Sequence, residues 1–407
     1  MKTWIKLAWR NIWRNKRRSF ISIASVLFAV LFAIAADSFE RGSYEMQIEN
    51  MVMFSTGYIR IQDVLYEDEP SLDHMMMYDD ALLDVLDGFS DRIEYTVPRI
   101  EGFALAASDR RTRGVMVMGI DPDQEDRFNG LSERLVSGSW LEPGDESVLL
   151  ASGAADILGL DVGDTLVVIG QGFQGINSSG LYPVKGIVQL AVPDMNNNMV
   201  YMPLAAAQWF FGADDMVTSL IVMPDRPRNT ERLAGDLQTA LDDEWYAVLT
   251  WQDMMKDFLR AMEMDMAGNK MIILILYIVI GFGLFGTILT MMLERIREFA
   301  MMIAIGMKRY QLALVCLMES IFLSLIGVVA GVMITFPITF YFNRNPIPLG
   351  GEMADFMAEY GFEAVIPTSI DPVVFVSQAV AIFVIAFLIG LYPVYKVFRL
   401  QVIQKAK

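Results

Sequence analysis

Met271-Ile-Ile-Leu-Ile-Leu-Tyr-Ile-Val-Ile-Gly-Phe-Gly-Leu-Phe-Gly-Thr-Ile-Leu-Thr-Met-Met-Leu293 runs directly into Glu294-Arg-Ile-Arg-Glu298-Phe-Ala-Met-Met-Ile-Ala304-Ile-Gly306. The first stretch holds 23 residues without a charge. As a helix rising about 1.5 Å per residue it crosses the roughly 30 Å hydrocarbon layer of a bilayer. The second stretch is charged from its first residue, so the chain meets water at position 294. Working outward, three more low-charge stretches recur: Ser19 to Ala36 (18 residues), Gln311 to Phe342 (32, interrupted by Glu319) and Val373 to Tyr395 (23). The predicted fold class is an α-helical membrane protein with four transmembrane helices, over 19–36, 271–293, 311–342 and 373–395. A hydrophobic content of 54% and a mean hydropathy of +0.39 over 407 residues exclude a wholly soluble enzyme.

Charge sets the expected topology. Residues 1–18 carry seven Lys/Arg and no acid, whereas 37–269 carry 41 acids against 15 bases, in a chain of net charge −17. The segment 294–310 and the tail 396–407 are basic, and 343–371 is acidic. Short basic segments mark the cytoplasmic side. Both termini are therefore expected in the cytoplasm, with a large acidic domain (37–269) and a small loop (343–371) outside. That acidity argues against a nucleic-acid partner. In 1–18, Ile5, Ala8, Trp9, Ile12 and Trp13 fall on one helical stripe, with Lys6, Arg10 and Arg14 on another. This pattern predicts an amphipathic helix on the inner membrane surface with Trp rings at headgroup level. Ala33-Ile34-Ala35-Ala36 also reads as a signal-peptide cleavage site, but the structured basic region favours a retained helix.

The outer domain alternates strand and helix patterns and reads as α+β: an αβ subdomain with an inserted β-rich subdomain over 131–215, bracketed by turn clusters. Two amphipathic segments, 38–54 and 251–268, are expected to pair as a stalk. In the second, Trp251, Met255, Phe258 and Met262 share one stripe, and the helix is expected to run straight into the second span. A separate in-plane helix is expected over 294–310, with Ile296, Phe299, Ala300, Ile303 and Met307 towards lipid and Gly306 ending it.

Several chemical motifs fail on context. Gly170-Gln-Gly172-Phe-Gln-Gly175 has dinucleotide-binding spacing but leads into another strand, so a hairpin loop is expected. Asp121-Pro-Asp123-Gln-Glu125-Asp126 lacks the glycine of a calcium loop and reads as a solvated turn. His74 beside Met75, Met76 and Met77, and the trio Met262, Met264 and Met266, are read as general methionine usage in a chain with 29 methionines. One histidine and one cysteine, Cys316, leave no zinc motif and no intramolecular disulfide. No metal site is expected. Glu319 is the ionisable residue well inside a span, a functional candidate or a paired acid. No Gly-x4-Gly-Lys-Ser/Thr loop exists, so the chain is not expected to hydrolyse ATP itself.

On these residues the chain resembles the permease subunits of the MacB/LolC/FtsX (type VII, mechanotransmitting) ABC transporters, most like the lipoprotein-releasing branch. The resemblance rests on Leu7-Ala-Trp-Arg-Asn-Ile-Trp-Arg-Asn-Lys-Arg-Arg18, on Glu294 to Gly306, on Glu319 with Gly327 and Gly331, and on Tyr392-Pro-Val-Tyr-Lys-Val-Phe-Arg-Leu400. Ser147–Ser152, 160–164 and 198–204 resemble the β-rich part of that family's outer domain. Val397 replaces the family's usual alanine. The resemblance implies a non-catalytic subunit of the bacterial inner membrane with no cofactor of its own, ATP and Mg being bound by a separate cytosolic ABC ATPase. It implies a dimer with a second permease copy or paralogue, and contact with membrane lipid, a lipoprotein client and a periplasmic carrier or adaptor. Glu294, Arg295, Arg297, Glu298, Ala304 and Gly306 would couple to the ATPase; Trp9, Arg10, Trp13 and Arg14 would form the inner-surface helix. A macrolide-exporter-like permease of a tripartite pump and a non-transporting relay activating a cell-wall enzyme are the alternatives. The lack of a fused ATPase and the large outer domain favour lipoprotein release.

Overall fold

The computed structural model describes residues 2–14, 16–109, 111–190, 192–242, 244–351, 354 and 365–399. Within the expected outer loop, 352, 353 and 355–364 lie outside the described residues, as do 400–407 of the expected tail. The chain forms two compact units. A helical unit comprises Met1–Met46, Ala261–Pro348 and Val365–Lys407, and a sheet unit comprises Gln47–Arg260 and Leu349–Ala364. The helices are α1 (Lys2–Arg14), α2 (Lys16–Met51), α3 (Asp80–Asp87), α4 (Pro122–Asn129), α5 (Ser152–Leu158) and α6 (Pro193–Asn198). They continue with α7 (Leu204–Phe211), α8 (Thr230–Ala240), α9 (Trp251–Met254), α10 (Lys256–Ala304), α11 (Arg309–Arg344) and α12 (Pro372–Arg399). The strands are β1 (Ile59–Asp63), β2 (Met76–Met77), β3 (Ile93–Ala107), β4 (Thr112–Ile120), β5 (Leu135–Gly138), β6 (Val148–Ala151) and β7 (Thr165–Gln171). After them come β8 (Asn177–Val188), β9 (Met199–Pro203), β10 (Met216–Val217), β11 (Ser219–Pro224), β12 (Tyr246–Thr250), β13 (Ile347–Pro348) and β14 (Val365–Ile366).

In the helical unit, α2, α10, α11 and α12 are each long and apolar enough to cross a membrane. α2 and α11 pack closely because α11 carries glycine at the contacts. A Cβ on Gly327 would stand 2.6 Å from Val26 Cβ, and one on Gly331 2.8 Å from Val30 Cβ. Small residues at helix crossings are how membrane helices gain dispersion contact where no hydrophobic drive operates. Val26, Val30, Ile34, Val328, Phe375 and Ile382 form the core behind that contact.

Two expectations about helix ends are corrected. The separate in-plane helix over 294–310 does not form, because α10 continues for 49 residues to Ala304. No proline interrupts that run, and the chain turns only at Gly306, whose φ of +104° suits glycine. At the other end the helix expected from Trp251 is broken. α9 stops at Met254, and Met255 leaves helical geometry (φ −107°, ψ 20°) with its side chain 3% exposed. Burial of Met255 outweighs the continuity that its stripe alone suggested.

In the sheet unit, β3 is the branch point. Its first half pairs with β11 in a four-stranded antiparallel sheet, β12-β1-β11-β3. Its second half pairs with β7 on the β11 side and with β4 on the other. The pairings β3-β4, β4-β9, β9-β6, β6-β8, β8-β7 and β7-β3 close a six-stranded circuit, a barrel. Alternation along β3 sends Ile100, Ala104 and Ala106 into the barrel core with Val115, Val117 and Val200, and Phe103 and Leu105 outward. Residues 131–215 supply β5 to β9, but β3 and β4 complete the barrel, so this segment is not a closed unit alone. Its hydrophobic positions face β-partners that lie before it in sequence. The Gly170–Gly175 loop is the hairpin expected from the sequence. Its Gly172 is required because a Cβ there would lie 2.1 Å from the Phe211 carbonyl oxygen, and Gly175 has φ +77°.

α9 begins with a capping box in which Thr250 and Asp253 satisfy each other's backbone N–H groups. Burial opposes the charge on Asp253, but hydrogen bonds from Thr250 and the nearby Lys256 hold its carboxyl below the ordinary 3.8. A depressed carboxylate contributes stability above its unfolded pKa, lost as pH falls through the folded value. Thr250→Ala is expected to destabilise α9 by about 1 kcal/mol. Amide protection in 251–255 should fall in that variant at neutral pH, and in the wild type only as the Asp253 carboxyl protonates below its ordinary 3.8.

Candidate functional site

At the end of α10 the helical period puts Leu284, Ile288, Met292, Arg295 and Phe299 on one buried stripe. Arg295 therefore points inward, 7% exposed, where its Nη1 donates to Glu319 of α11. Its Nε lies 3.5 Å from Glu298, and its guanidinium sits 5.2 Å from the Phe299 ring centroid. Glu298 in turn accepts from Arg14 of α1 at 2.9 Å. One charge chain, Arg14–Glu298–Arg295–Glu319, thus joins α1, α10 and α11. Phe299 packs with Leu312, Ala313, Cys316 and Val397, tying the same end to α12.

This corrects the expected coupling set. Glu294, Arg297, Ala304 and Gly306 are exposed, Glu298 is partly exposed, and Arg295 is buried, so Arg295 presents no charge to a partner. The stripe Ile296 to Met307 packs on α11 and α12, where lipid contact was expected, because a helix continuous with a span keeps that span's buried face. Glu319, 6% exposed, is a paired acid. On α1, Ala8 and Ile12 are buried while Trp9 and Trp13 are about half exposed with ring centroids 5.9 Å apart; Arg10 and Arg14 are exposed. Trp9 meets Phe322 of α11 edge-on at 5.9 Å.

Of the expected stalk residues, Trp251 lies on α9, Met255 at the break after it, and Phe258 and Met262 on α10. Trp251, Met255 and Phe258 belong to the sheet unit and Met262 to the helical unit. The two stalk segments meet where Tyr44 donates to Asp265. Close by in sequence is a buried polar network that sequence reading missed. Gln378 Nε2 donates to Asp37 Oδ2 at 2.9 Å, and Tyr277 donates to Gln378 Oε1 at 2.5 Å, linking α2, α10 and α12. Asp37 was assigned to the outer domain because it ends the apolar run, yet α2 continues past it.

The sheet unit holds a second candidate. Asp121 to Asp126 does not form the expected solvated turn. Asp121 caps α4, Pro122 occupies its first position and Gly130 (φ +62°) ends it. That spacing was legible as a short helix. It delivers Glu125, fully buried, to Arg99 of β3 as a bidentate pair at 2.9 and 2.6 Å. Arg99 Nη1 also donates to the Ser55 carbonyl, and Asn129 donates to Glu125. Burial opposes the charge on Arg99, but Glu125 more than offsets it and raises the guanidinium pKa. Between α4 and α6 the outer face of the barrel is uncovered. There a cavity of about 650 Å³ is floored by Glu101, Phe103, Met116, Met118 and Met199 and flanked by Arg60 and Arg113. An exposed apolar row continues from it through Phe103, Leu105, Ile169 and Leu181, with Phe103 74% exposed. Adjacent register places Leu105 opposite Ile169. Exposed apolar rows of this kind are candidates for binding surfaces. Among the described residues no group of three or more His, Cys, Asp or Glu is placed to hold a metal.

Comparison with known proteins gives two family matches, the MacB-like periplasmic core domain over residues 19–240 and the FtsX-like permease C-terminal over 270–402. A lipoprotein-releasing system transmembrane protein LolC from Neisseria meningitidis serogroup B is 23% identical over 245 residues, 58% of this chain and 59% of that protein. The LolC of Xylella fastidiosa strain 9a5c is 22% identical over 320 residues, 76% of each chain. Of solved structures, the periplasmic region of MacB from Actinobacillus actinomycetemcomitans aligns with 53% of this chain and 98% of its own, at 16% identity and a TM-score of 0.38.

Proposed function

Because the chain belongs to the family of ABC-transporter permeases that joins a MacB-like periplasmic core domain to an FtsX-like permease C-terminal domain, we propose that it couples hydrolysis by a separate cytosolic ATPase to movement of its sheet unit. The movement releases lipoproteins or other lipidic clients from the outer leaflet of the inner membrane. The observation that carries this reading is α10, one unbroken helix of 49 residues, about 70 Å at about 1.5 Å per residue. A push at its charged end is not absorbed by a hinge within it. The concentration of Lys/Arg in 1–18 and 294–310 supports a cytoplasmic position for that end. Exposed Glu294, Arg297 and the 304–306 turn are then the contact for the ATPase. Arg295 and Glu298 serve as the internal joint that passes the load to α11 and α1. The apolar row at Phe103 to Leu181, with the methionine-lined cavity beside it, is suited to an acylated client, since methionine surfaces adapt to varied shapes. On α10, Met271, Ile272, Ile275 and Val279 are exposed, which suits a second permease copy.

The test is charge reversal at the joint and at the contact. Glu298→Arg places a like charge against Arg14, and Arg297→Glu reverses an exposed residue. Either variant, assembled with its ATPase in proteoliposomes, is expected to hydrolyse ATP while client release falls at least tenfold. Client release that keeps pace with wild type in both variants would overturn the coupling assignment.

A further inference from the structure

We propose that the crevice between the start of α2 and the second half of α10 is a binding site for one anionic phospholipid. Its mouth carries Arg14, Lys16 and Arg17; its walls are Ile21 and Phe282; its floor is Gly283 and Gly286, with Glu294 also on the lining. The cavity measures about 1020 Å³, at the upper end of the size range of ligand pockets. The glycines make it a groove, since a Cβ built on either meets nothing within 4 Å. The polar edges are already satisfied: Thr287 donates to the Gly283 carbonyl at 3.0 Å and Thr290 to that of Gly286 at 2.9 Å. The lining thus offers an apolar stretch at Ile21, Phe282 and the two glycines, bordered by Thr287 and Thr290, and a charged stretch of three bases against one acid. An acyl chain fits the first and a phosphate the second. Basic pockets between membrane helices at the Lys/Arg-rich surface recognise anionic headgroups for this reason, while a zwitterionic lipid offsets its phosphate with its own amine. The occupant also reaches the joint described above. Arg14 holds Glu298 at 2.9 Å with both side chains solvent-accessible, so a phosphate competes with Glu298 for the same guanidinium. Occupancy of the crevice is thereby linked to the charge chain ending at Glu319.

The experiment is native mass spectrometry of the full chain in detergent, titrated with phosphatidylglycerol or phosphatidylcholine, reading bound lipid per chain and oligomeric state together. Wild type is expected to retain one phosphatidylglycerol in preference to phosphatidylcholine. Lys16→Gln with Arg17→Gln is expected to weaken phosphatidylglycerol binding roughly tenfold or more with little change for phosphatidylcholine. Gly286→Leu, which fills open space, is expected to reduce retention of both lipids without changing oligomeric state. An unreactive Cys316 thiol, buried in the folded unit, verifies folding of each variant. Equal retention of the two lipids by wild type, or phosphatidylglycerol binding unchanged in both variants, overturns the proposal. So does dissociation of dimers by Gly286→Leu with the lipid count unaltered, which would make the crevice an interface between copies.

Discussion

Glu319→Ala is expected to destabilise the helical unit by roughly 3–5 kcal/mol, because it leaves the Arg295 guanidinium, 7% exposed among helices, with only the partly exposed Glu298, 3.5 Å from its Nε, to offset its desolvation. The single cysteine provides the measurement. Cys316 is buried one turn from Glu319, so a thiol-reactive fluorophore reads unfolding in detergent as temperature rises. The variant should label at markedly lower temperature than wild type. The pair is not fully satisfied, since Arg295 Nε and Glu319 Oε1 lack hydrogen-bond partners. Replacing both partners with apolar residues, Arg295→Met with Glu319→Leu, should therefore restore the thermal midpoint or exceed it. If the pair transmits load, this stable double variant will still fail to couple hydrolysis to client release. A double variant that is stable and fully coupled would reduce the pair to packing alone.

A loss of similar size is expected from Glu125→Ala in the sheet unit, roughly 3–5 kcal/mol, since Arg99 is 2% exposed and takes both carboxylate oxygens. The two pairs differ in their surroundings. Here Ser55 and Asn129 extend the network, and the Arg99 guanidinium lies 5.1 Å from the Phe128 ring centroid. Arg99→Met with Glu125→Leu would strand the Ser55 carbonyl and the Asn129 amide, so it should recover only part of the loss. Hydrogen exchange of intact protein checks this. Protection should fall across β3 and α4 in Glu125→Ala, return incompletely in the double variant, and stay unchanged in α11. Full recovery by the double variant would mean that the network adds nothing beyond the pair.

The four spans were legible because lipid admits few chain geometries: a long uncharged run must satisfy its own backbone as a helix. The α+β character of the outer domain was legible from its alternating strand and helix patterns. α4 was missed although Asp121, Pro122 and Gly130 marked both its ends, because its acids were read as solvated. Composition does not distinguish Glu125 from its acidic neighbours Asp123 and Asp126, of which Asp123 is indeed exposed. Only the arrival of Arg99 from β3 offsets the desolvation of a carboxylate at position 125.

By itself the sequence determined the membrane class, the division into an apolar helical part and an acidic α+β part, the family motifs at 294–306, and the glycines of α11. Each of these follows from local composition or period, which a single segment carries. Only the tertiary structure decided that β3 serves two sheets, that Met255 breaks a helix, that Arg295 turns inward to Glu319, and that Lys16 and Arg17 share a crevice with Gly283 and Gly286. These depend on which face of one segment meets which face of another distant in sequence, and the free energy of a buried charge is set by that partner.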